Sequence, residues 1–387
     1  MKPGFLSVVR REIRRLTSRP LYAVAMIAVP LLMAFFFVGM MHRGLPLKVP
    51  SGVVDMDHSQ MSRTLIRSLD AMELIDVVQQ PVDYHTAMEA VQRGEIIGFF
   101  MIPEDFERDA ISNRAPALTY YYNTAIYVPG SLAFKGFKTM GVSSSGALVQ
   151  TSLTARGISS SVAGVILQPM TVNVHALNNP YLNYSYYLSP SFTYGLLELM
   201  IFLVTSFSIT QELKTYTSRE WLNTAGNRVG VALLGKLLPQ TIVFVTVGLF
   251  INALLFGYLH FPMNGSMLWM NIGMLLFVIA SQSVAVFVCA IIPNARFAMS
   301  ICSLMGILAF SLAAFSFPVE AMYGALVPFT TILPVRWYFL IYANEALNGI
   351  ALYYSRFYFI WLLCFPIAAS LAAWRLRKPL LNPVYVP

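Results

Sequence analysis

Charge is what this chain has least of. Of its 387 residues, 11% are Asp, Glu, Lys or Arg, while 57% are apolar; an ordinary soluble protein carries about 25% charge. That shortage excludes a water-soluble domain over the whole length. Cysteine is nearly missing as well. Cys289, Cys302 and Cys364 all lie in apolar stretches and read as small buried hydrophobes, so no disulfide framework is visible. His42, His58, His85, His175 and His260 are scattered, with no metal-ligand spacing among them and no cysteine pair beside them. The sequence also lacks a Gly-x-Ser-x-Gly elbow, a carboxylate pair within its apolar stretches and a detectable internal repeat. The first two gaps leave an enzyme no residues to work with, and the third argues against an inverted-repeat carrier.

Long uncharged runs are present instead. Leu21 to Met41 (LYAVAMIAVPLLMAFFFVGMM) contains no charge, and about 20 residues of helix cross the roughly 30 Å hydrocarbon core of a bilayer. Backbone amides in that core have no water to bond, so the segment must be helical. Similar reading predicts an α-helical polytopic membrane protein with six transmembrane helices, at about 21–41, 188–211, 229–258, 268–291, 296–317 and 353–374. The first run is too long for a secretory signal and lacks a small-residue cleavage site.

The net charge of +8 is distributed by side. Lys2, Arg10, Arg11, Arg14, Arg15 and Arg19 precede the first span; Lys214, Arg219, Arg228 and Lys236 lie around the second connection; Arg375, Arg377 and Lys378 follow the last span. The connection 259–267 has no Lys or Arg. This asymmetry is the positive-inside pattern. It places both termini, the 212–228 loop and the 375–387 tail in the cytoplasm, puts 42–187 outside, and argues against a nucleic-acid partner.

Three segments outside the spans carry further information. In residues 1–20, Phe5, Leu6, Val9, Ile13 and Leu16 share one helical face and Arg10, Arg11, Arg14 and Arg15 the other, with Glu12 at the border. That pattern predicts an amphipathic helix in the membrane interface, with its basic face near anionic lipid head groups. The 42–187 region reads as an inserted α/β extracytoplasmic domain with a helical arm at about 131–170. Its predicted order is strand (ending at Asp55), helix (Ser62–Met72), helix (Asp83–Arg93), strand (Ile96–Ile102), strand (Ala117–Tyr122). Residues 318–350 hold three prolines and read as short re-entrant helices before the sixth span, with Glu320, Arg336 and Glu345 near the outer boundary.

The run from Gly230 to Lys236 (GVALLGK) nearly spells a phosphate-binding loop. Leu237 follows where a magnesium-binding hydroxyl is required, and no strand precedes it. With no other candidate, ATP and magnesium belong to a partner polypeptide, and this chain binds no cofactor of its own. The loop from Gln211 to Arg228 (QELKTYTSREWLNTAGNR) holds a short helix-compatible piece, Ser218 to Leu222. Trp221 and Leu222 are expected to anchor it while Glu212, Arg219 and Glu220 make polar contacts; the alternative is a loop resting on lipid. Glu198 lies inside the second span. A charge there is costly, so it either faces a water-filled path or is a neutral, hydrogen-bonded acid that braces helices.

Taken together these segments resemble the permease subunits of type-2 ABC exporters, over nearly the whole chain. Arg11-Glu12 resembles that family's basic-acidic pair on the interfacial helix. Val53 to Ser62 (VVDMDHSQMS) and Ile102 to Asp109 (IPEDFERD) resemble the outer domain of its drug-export branch. Glu212 to Thr217, then Glu220 and Leu222, resembles the cytoplasmic ATPase-coupling segment; Gly235-Lys236 with Pro239 resembles the start of the third span; and Phe317 to Met322 with Pro334 resembles the re-entrant region. Three departures stand out, the first being a spacing from Thr217 to Glu220 one residue longer than is usual in the family. Tyr216 occupies a position where the family commonly has glycine, and Lys214 one where an acid is frequent.

The resemblance implies a multidrug-type export permease of a bacterial inner membrane. Separate ABC ATPase subunits would supply the energy, a second copy or a paralogue would complete the dimer, and a periplasmic adaptor is a further partner. The amphiphilic or hydrophobic cargo would move outward. A non-transporting scaffold or signalling protein driven by an ABC ATPase is the alternative.

Overall fold

The computed structural model describes residues 3–42, 44–112, 114, 116–123, 127–155, 159, 162, 183–313 and 317–383. The chain divides into two compact units, Leu45–His175 and the remainder, Met1–Gly44 with Ala176–Pro387.

The smaller unit is built on a four-stranded sheet in the order β2-β1-β3-β4. Its strands are β1 (Val49–Asp55), β2 (Ile75–Gln79), β3 (Gly98–Ile102) and β4 (Thr119–Tyr122). β1 runs parallel to both β2 and β3, with Ser51 opposite Gly98 and Asp55 opposite Ile102. β4 closes the far edge antiparallel to β3. Parallel strands need crossovers, and here helices supply them. Gln60–Asp70 starts where the Ser59 hydroxyl accepts the Ser62 amide, and Tyr84–Gln92 where the Asp83 carboxylate accepts that of Thr86. Each cap satisfies an amide that lacks an intrahelical partner.

Leu65, Ile66 and Leu69 of the first crossover pack with Val53, Phe100 and Ile102 on one face of the sheet; Ala87 and Ala90 of the second pack with Val54 and Phe99 on the other. This double coverage explains why Val53 and Val54 of β1 and the whole of β3 (GFFMI) are apolar. The sequence pattern missed β2, because IDVVQ is short and carries two polar residues. It also missed the helix Phe106–Ile111. The expected arm is a helix over Tyr127–Ala155; the rest of that segment, beyond the isolated 159 and 162, lies outside the described residues.

The larger unit is helical. Among its described residues six helices are long and apolar enough to cross a membrane: Pro20–Met40, Tyr184–Lys214, Val229–Tyr258, Met267–Ile291, Ala295–Leu312 and Leu352–Leu381. They are called the first to sixth spans here. The pair Gly324–Thr331 and Pro334–Asn348 is bent by 84° and would make a seventh if counted as one. The bend falls where Pro334 opens its helix, since proline fixes φ and carries no amide hydrogen.

The second and fourth spans form the centre. Their most apolar windows are 67% buried, against 17–22% for the first, fifth and sixth. Leu32, Ile307 and Leu371 are among the large side chains left exposed on the outer three, as a lipid-facing surface requires. Proline is absorbed inside four spans, at Pro30, Pro190, Pro239 and Pro366. A buried polar network ties the centre together: the Tyr194 hydroxyl donates to Asn252 Oδ1 at 2.8 Å, and Asn252 Nδ2 donates to Asn271 at 3.0 Å.

Candidate functional site

The N-terminal helix, Phe5–Ser18, turns a different face to the protein from the one its apolar pattern marks. Val8 and Glu12 are buried and Arg11 and Arg15 half-buried, whereas Phe5, Leu6 and Ile13 are exposed. Positions 8, 11, 12 and 15 follow helical spacing and so share one stripe. The usual rule is reversed, and an apolar face left off the protein in this way is free to turn to lipid. Close approach to the third span is possible because residue 235 is glycine: a Cβ there would lie 2.8 Å from Val8 Cβ and 3.3 Å from the Phe5 carbonyl oxygen.

Glu212, fully buried in the last turn of the second span, is the hub of that contact. Arg11 donates to both its oxygens, at 2.6 and 3.0 Å. Arg15 and the Thr217 hydroxyl also donate to it. Lys236, fully buried on the third span, reaches Glu212 at 3.0 Å and Glu12 at 2.8 Å. Gln240 completes the group by donating to Glu12 at 3.1 Å and to Ser208 at 3.0 Å. Burial opposes the charge on Arg11, but the Glu212 carboxylate and, more weakly, Glu220 outweigh it and hold the guanidinium above its ordinary value. Buried charges are tolerated only when paired and hydrogen-bonded. Here three cations and two anions from three separate helices meet that condition together.

Directly after Glu212 the chain turns into a short helix, Ser218–Thr224. The Thr217 amide donates to the Glu212 carbonyl at 3.0 Å and the Tyr216 amide to that of Leu213 at 3.2 Å. This is a Schellman motif, and Tyr216 holds its left-handed position at φ 57°. Glycine favours that position because it has no Cβ to clash. The short helix is anchored by Trp221 and Leu222, both buried. The Trp221 indole nitrogen donates to the Ala232 carbonyl at 3.3 Å, and Lys236 Nζ lies 4.7 Å from the ring centre. Arg219 and Glu220 are on its exposed side. Glu220, 72% exposed, lies 3.7 Å from Arg11, and Arg219 instead grips the C-terminal segment through the Leu381 carbonyl and Asn382.

Residues 22–375 match the family model described as ABC-2 family transporter protein. The chain belongs to that family. No curated protein matches it. Membership makes the chain an ABC-2 type permease, a multi-pass membrane protein, and implies ABC ATPase partners in general.

In this ABC-2 permease the sequence-marked residues separate into two places. Arg11, Glu12, Glu212, Thr217, Arg219, Glu220, Trp221 and Leu222 gather at the end of the bundle where the N-terminal helix, the second connection and the tail meet. Glu198 stands apart. It is fully buried, and its Oε1 accepts the Val335 amide at 2.9 Å. Val335 is in the first turn of the helix that Pro334 opens, so the carboxyl caps a terminus with no intrahelical partner for that amide.

Ser208 and Gln240 escaped the sequence reading, and Arg15 and Lys236 were marked there as basic residues but not as partners of Glu212. Lys236 was visible as a positive-inside lysine, as the end of a false phosphate loop and in the resemblance at the start of the third span, but its partners lie 24 and 224 positions away. Among the described residues no group of three His, Cys, Asp or Glu side chains is placed to hold a metal ion.

Proposed function

We propose that the permease is the membrane half of an ATP-driven exporter of amphiphilic or hydrophobic substrates, in the drug-export branch of its family. One observation carries this reading. The helix after the second span is joined by buried charge, through Glu212, to the N-terminal helix and the third span, while its other side stays exposed. Such an element can take a push on Tyr216, Glu220 and Asn223 from a soluble partner and move two spans and the N-terminal helix as one piece. A separate ABC ATPase binding ATP and magnesium is the partner this surface suits. A second permease copy or paralogue would cover part of the thinly buried outer spans.

Both termini and this loop then lie in the cytoplasm of a bacterial inner membrane. The Leu45–His175 unit lies outside, where it guides substrate or docks an adaptor. Glu198 acts as a brace that caps the re-entrant helix. That role removes one argument for a polar path through the bundle and keeps the non-transporting scaffold as a second reading.

The test is reconstitution of the permease in vesicles with the ABC ATPase that co-purifies with it. Glu220→Lys should leave insertion and assembly intact and lower ATP-dependent efflux of a lipophilic dye at least tenfold. Normal efflux by that variant at normal expression counts against the coupling surface. Absence of ATP-dependent flux by the wild-type complex, with ATP hydrolysis intact, favours the scaffold.

A further inference from the structure

We infer that the C-terminal segment forms a binding pocket for the headgroup of an anionic phospholipid. A cavity of about 540 Å³ lies between the end of the fourth span and the tail, lined by Trp374, Arg375, Arg377, Lys378 and Asn382 on the tail side and by Ile291 and Pro293 opposite. Three cations line it and no acid does. Among the described residues none of the three forms an ion pair. Unpaired cations gathered around one hollow call for an anion.

The surroundings select a lipid as its source. Helix Leu352–Ala373 runs directly into the pocket wall, and its exposed side chains Ile367 (60%) and Leu371 (71%) form an apolar track ending at Trp374, itself 72% exposed. Acyl chains fit that track while a phosphate sits among the cations, and an exposed tryptophan at such a junction is the usual interfacial anchor. Basic pockets between spans on the cytoplasmic side bind acidic headgroups by the same physics.

The pocket's tail also holds the loop helix. Ser218 Oγ donates to the Leu380 carbonyl at 2.9 Å, Arg219 Nη2 donates to Asn382 Oδ1 at 3.0 Å, and Leu376 and Leu380 are buried in the cluster that contains Trp221 and Leu222. A headgroup that orders residues 374–382 therefore steadies Ser218–Thr224. This second half of the inference rests on the coupling role proposed above, whereas the binding itself does not.

Native mass spectrometry of the purified full-length chain, without any ATPase, tests the pocket with phosphatidylglycerol, phosphatidylcholine and free glycerol phosphate. A basic side chain near an anionic lipid surface contributes about fivefold in affinity. Phosphatidylglycerol should be retained over phosphatidylcholine at least tenfold, and free glycerol phosphate at equal concentration should not displace it. The variant Arg375→Gln/Arg377→Gln/Lys378→Gln should lose the preference. No preference in the wild type, an unchanged preference in the variant, or displacement by glycerol phosphate overturns the lipid site.

Hydrogen exchange on the wild-type chain gives a readout that needs no variant. Phosphatidylglycerol, and not phosphatidylcholine, should slow exchange over 374–382 and over 218–224. Unchanged exchange over 374–382 overturns the site. Slowing confined to 374–382 overturns the link to the loop helix. Because no transport is measured, failure of the export reading is seen separately.

Discussion

Glu212 and Glu220 both touch Arg11, yet their neutralisation should have very different consequences. Glu212 is fully buried and binds Arg11, Arg15 and Lys236; Glu220 is 72% exposed and meets Arg11 at 3.7 Å. Glu212→Gln keeps the volume but leaves Arg11, Arg15 and Lys236 with Glu12 as the one buried acid among them and only the exposed Glu220 beside Arg11. Removing one partner from a buried ionic group costs about 3–5 kcal/mol, because the remaining charges stay desolvated. Glu220→Gln removes a screened surface contact, for which less than about 1 kcal/mol is expected.

If charge balance is the cause, a second neutralisation should restore stability. Glu212→Gln/Lys236→Met should be more stable than Glu212→Gln alone, even though it carries two lesions. Reversible unfolding in mixed detergent and dodecyl sulfate micelles measures the wild type, Glu212→Gln, Glu220→Gln, Lys236→Met and the double variant, and the double-mutant cycle isolates the coupling between Glu212 and Lys236. Equal losses for Glu212→Gln and Glu220→Gln, or additive losses in the double, would refute the reasoning.

Trp221→Ala should behave as a packing variant rather than a pure coupling variant, losing about 3–5 kcal/mol of stability in the same assay. Tyr216→Gly should stabilise the chain by up to about 1 kcal/mol, since it relieves a left-handed conformation at some cost in unfolded-state entropy; a lower unfolding midpoint would contradict that account. Glu198→Gln should keep near-normal stability because its amide oxygen can still accept the Val335 amide, whereas Glu198→Leu leaves that amide unpaired and should cost about 1–3 kcal/mol. Bonds from Thr86 hold the exposed Asp83 carboxyl below its ordinary value. Its stabilising contribution is therefore complete above the ordinary carboxylate range and is lost as pH falls through the lowered value. Asp83→Asn should flatten that acid limb, measured as the thermal midpoint of the full chain against pH.

The apolar runs determined the spans by themselves. Twenty uncharged residues have one stable form in hydrocarbon, a helix, and neighbouring structure cannot change that. The ends of the spans were less fixed: the second span extends to Tyr184 and Lys214, because its termini are capped by Asn183 and by the turn at Tyr216, the fifth stops at Leu312 rather than 317, and the sixth runs on to Leu381 rather than 374. The caps at Ser59 and Asp83 were not read: the sequence pattern starts those helices at Ser62 and Asp83, and the structure starts them at Gln60 and Tyr84. The strand order β2-β1-β3-β4 was not readable, because pairing joins strands that are distant in sequence.

The ionic hub was least readable of all. Arg11, Glu12 and Glu212 could be marked as unusual, but Lys236 reads as an ordinary positive-inside lysine until Gly235 is seen to bring Val8 against the third span. Glu198 shows the same limit. Sequence states the cost of a carboxyl in a membrane; only the fold supplies the Val335 amide that meets it. Whether a charge is exposed, buried alone or buried in company depends on which distant segments pack around it, and that is set by tertiary structure.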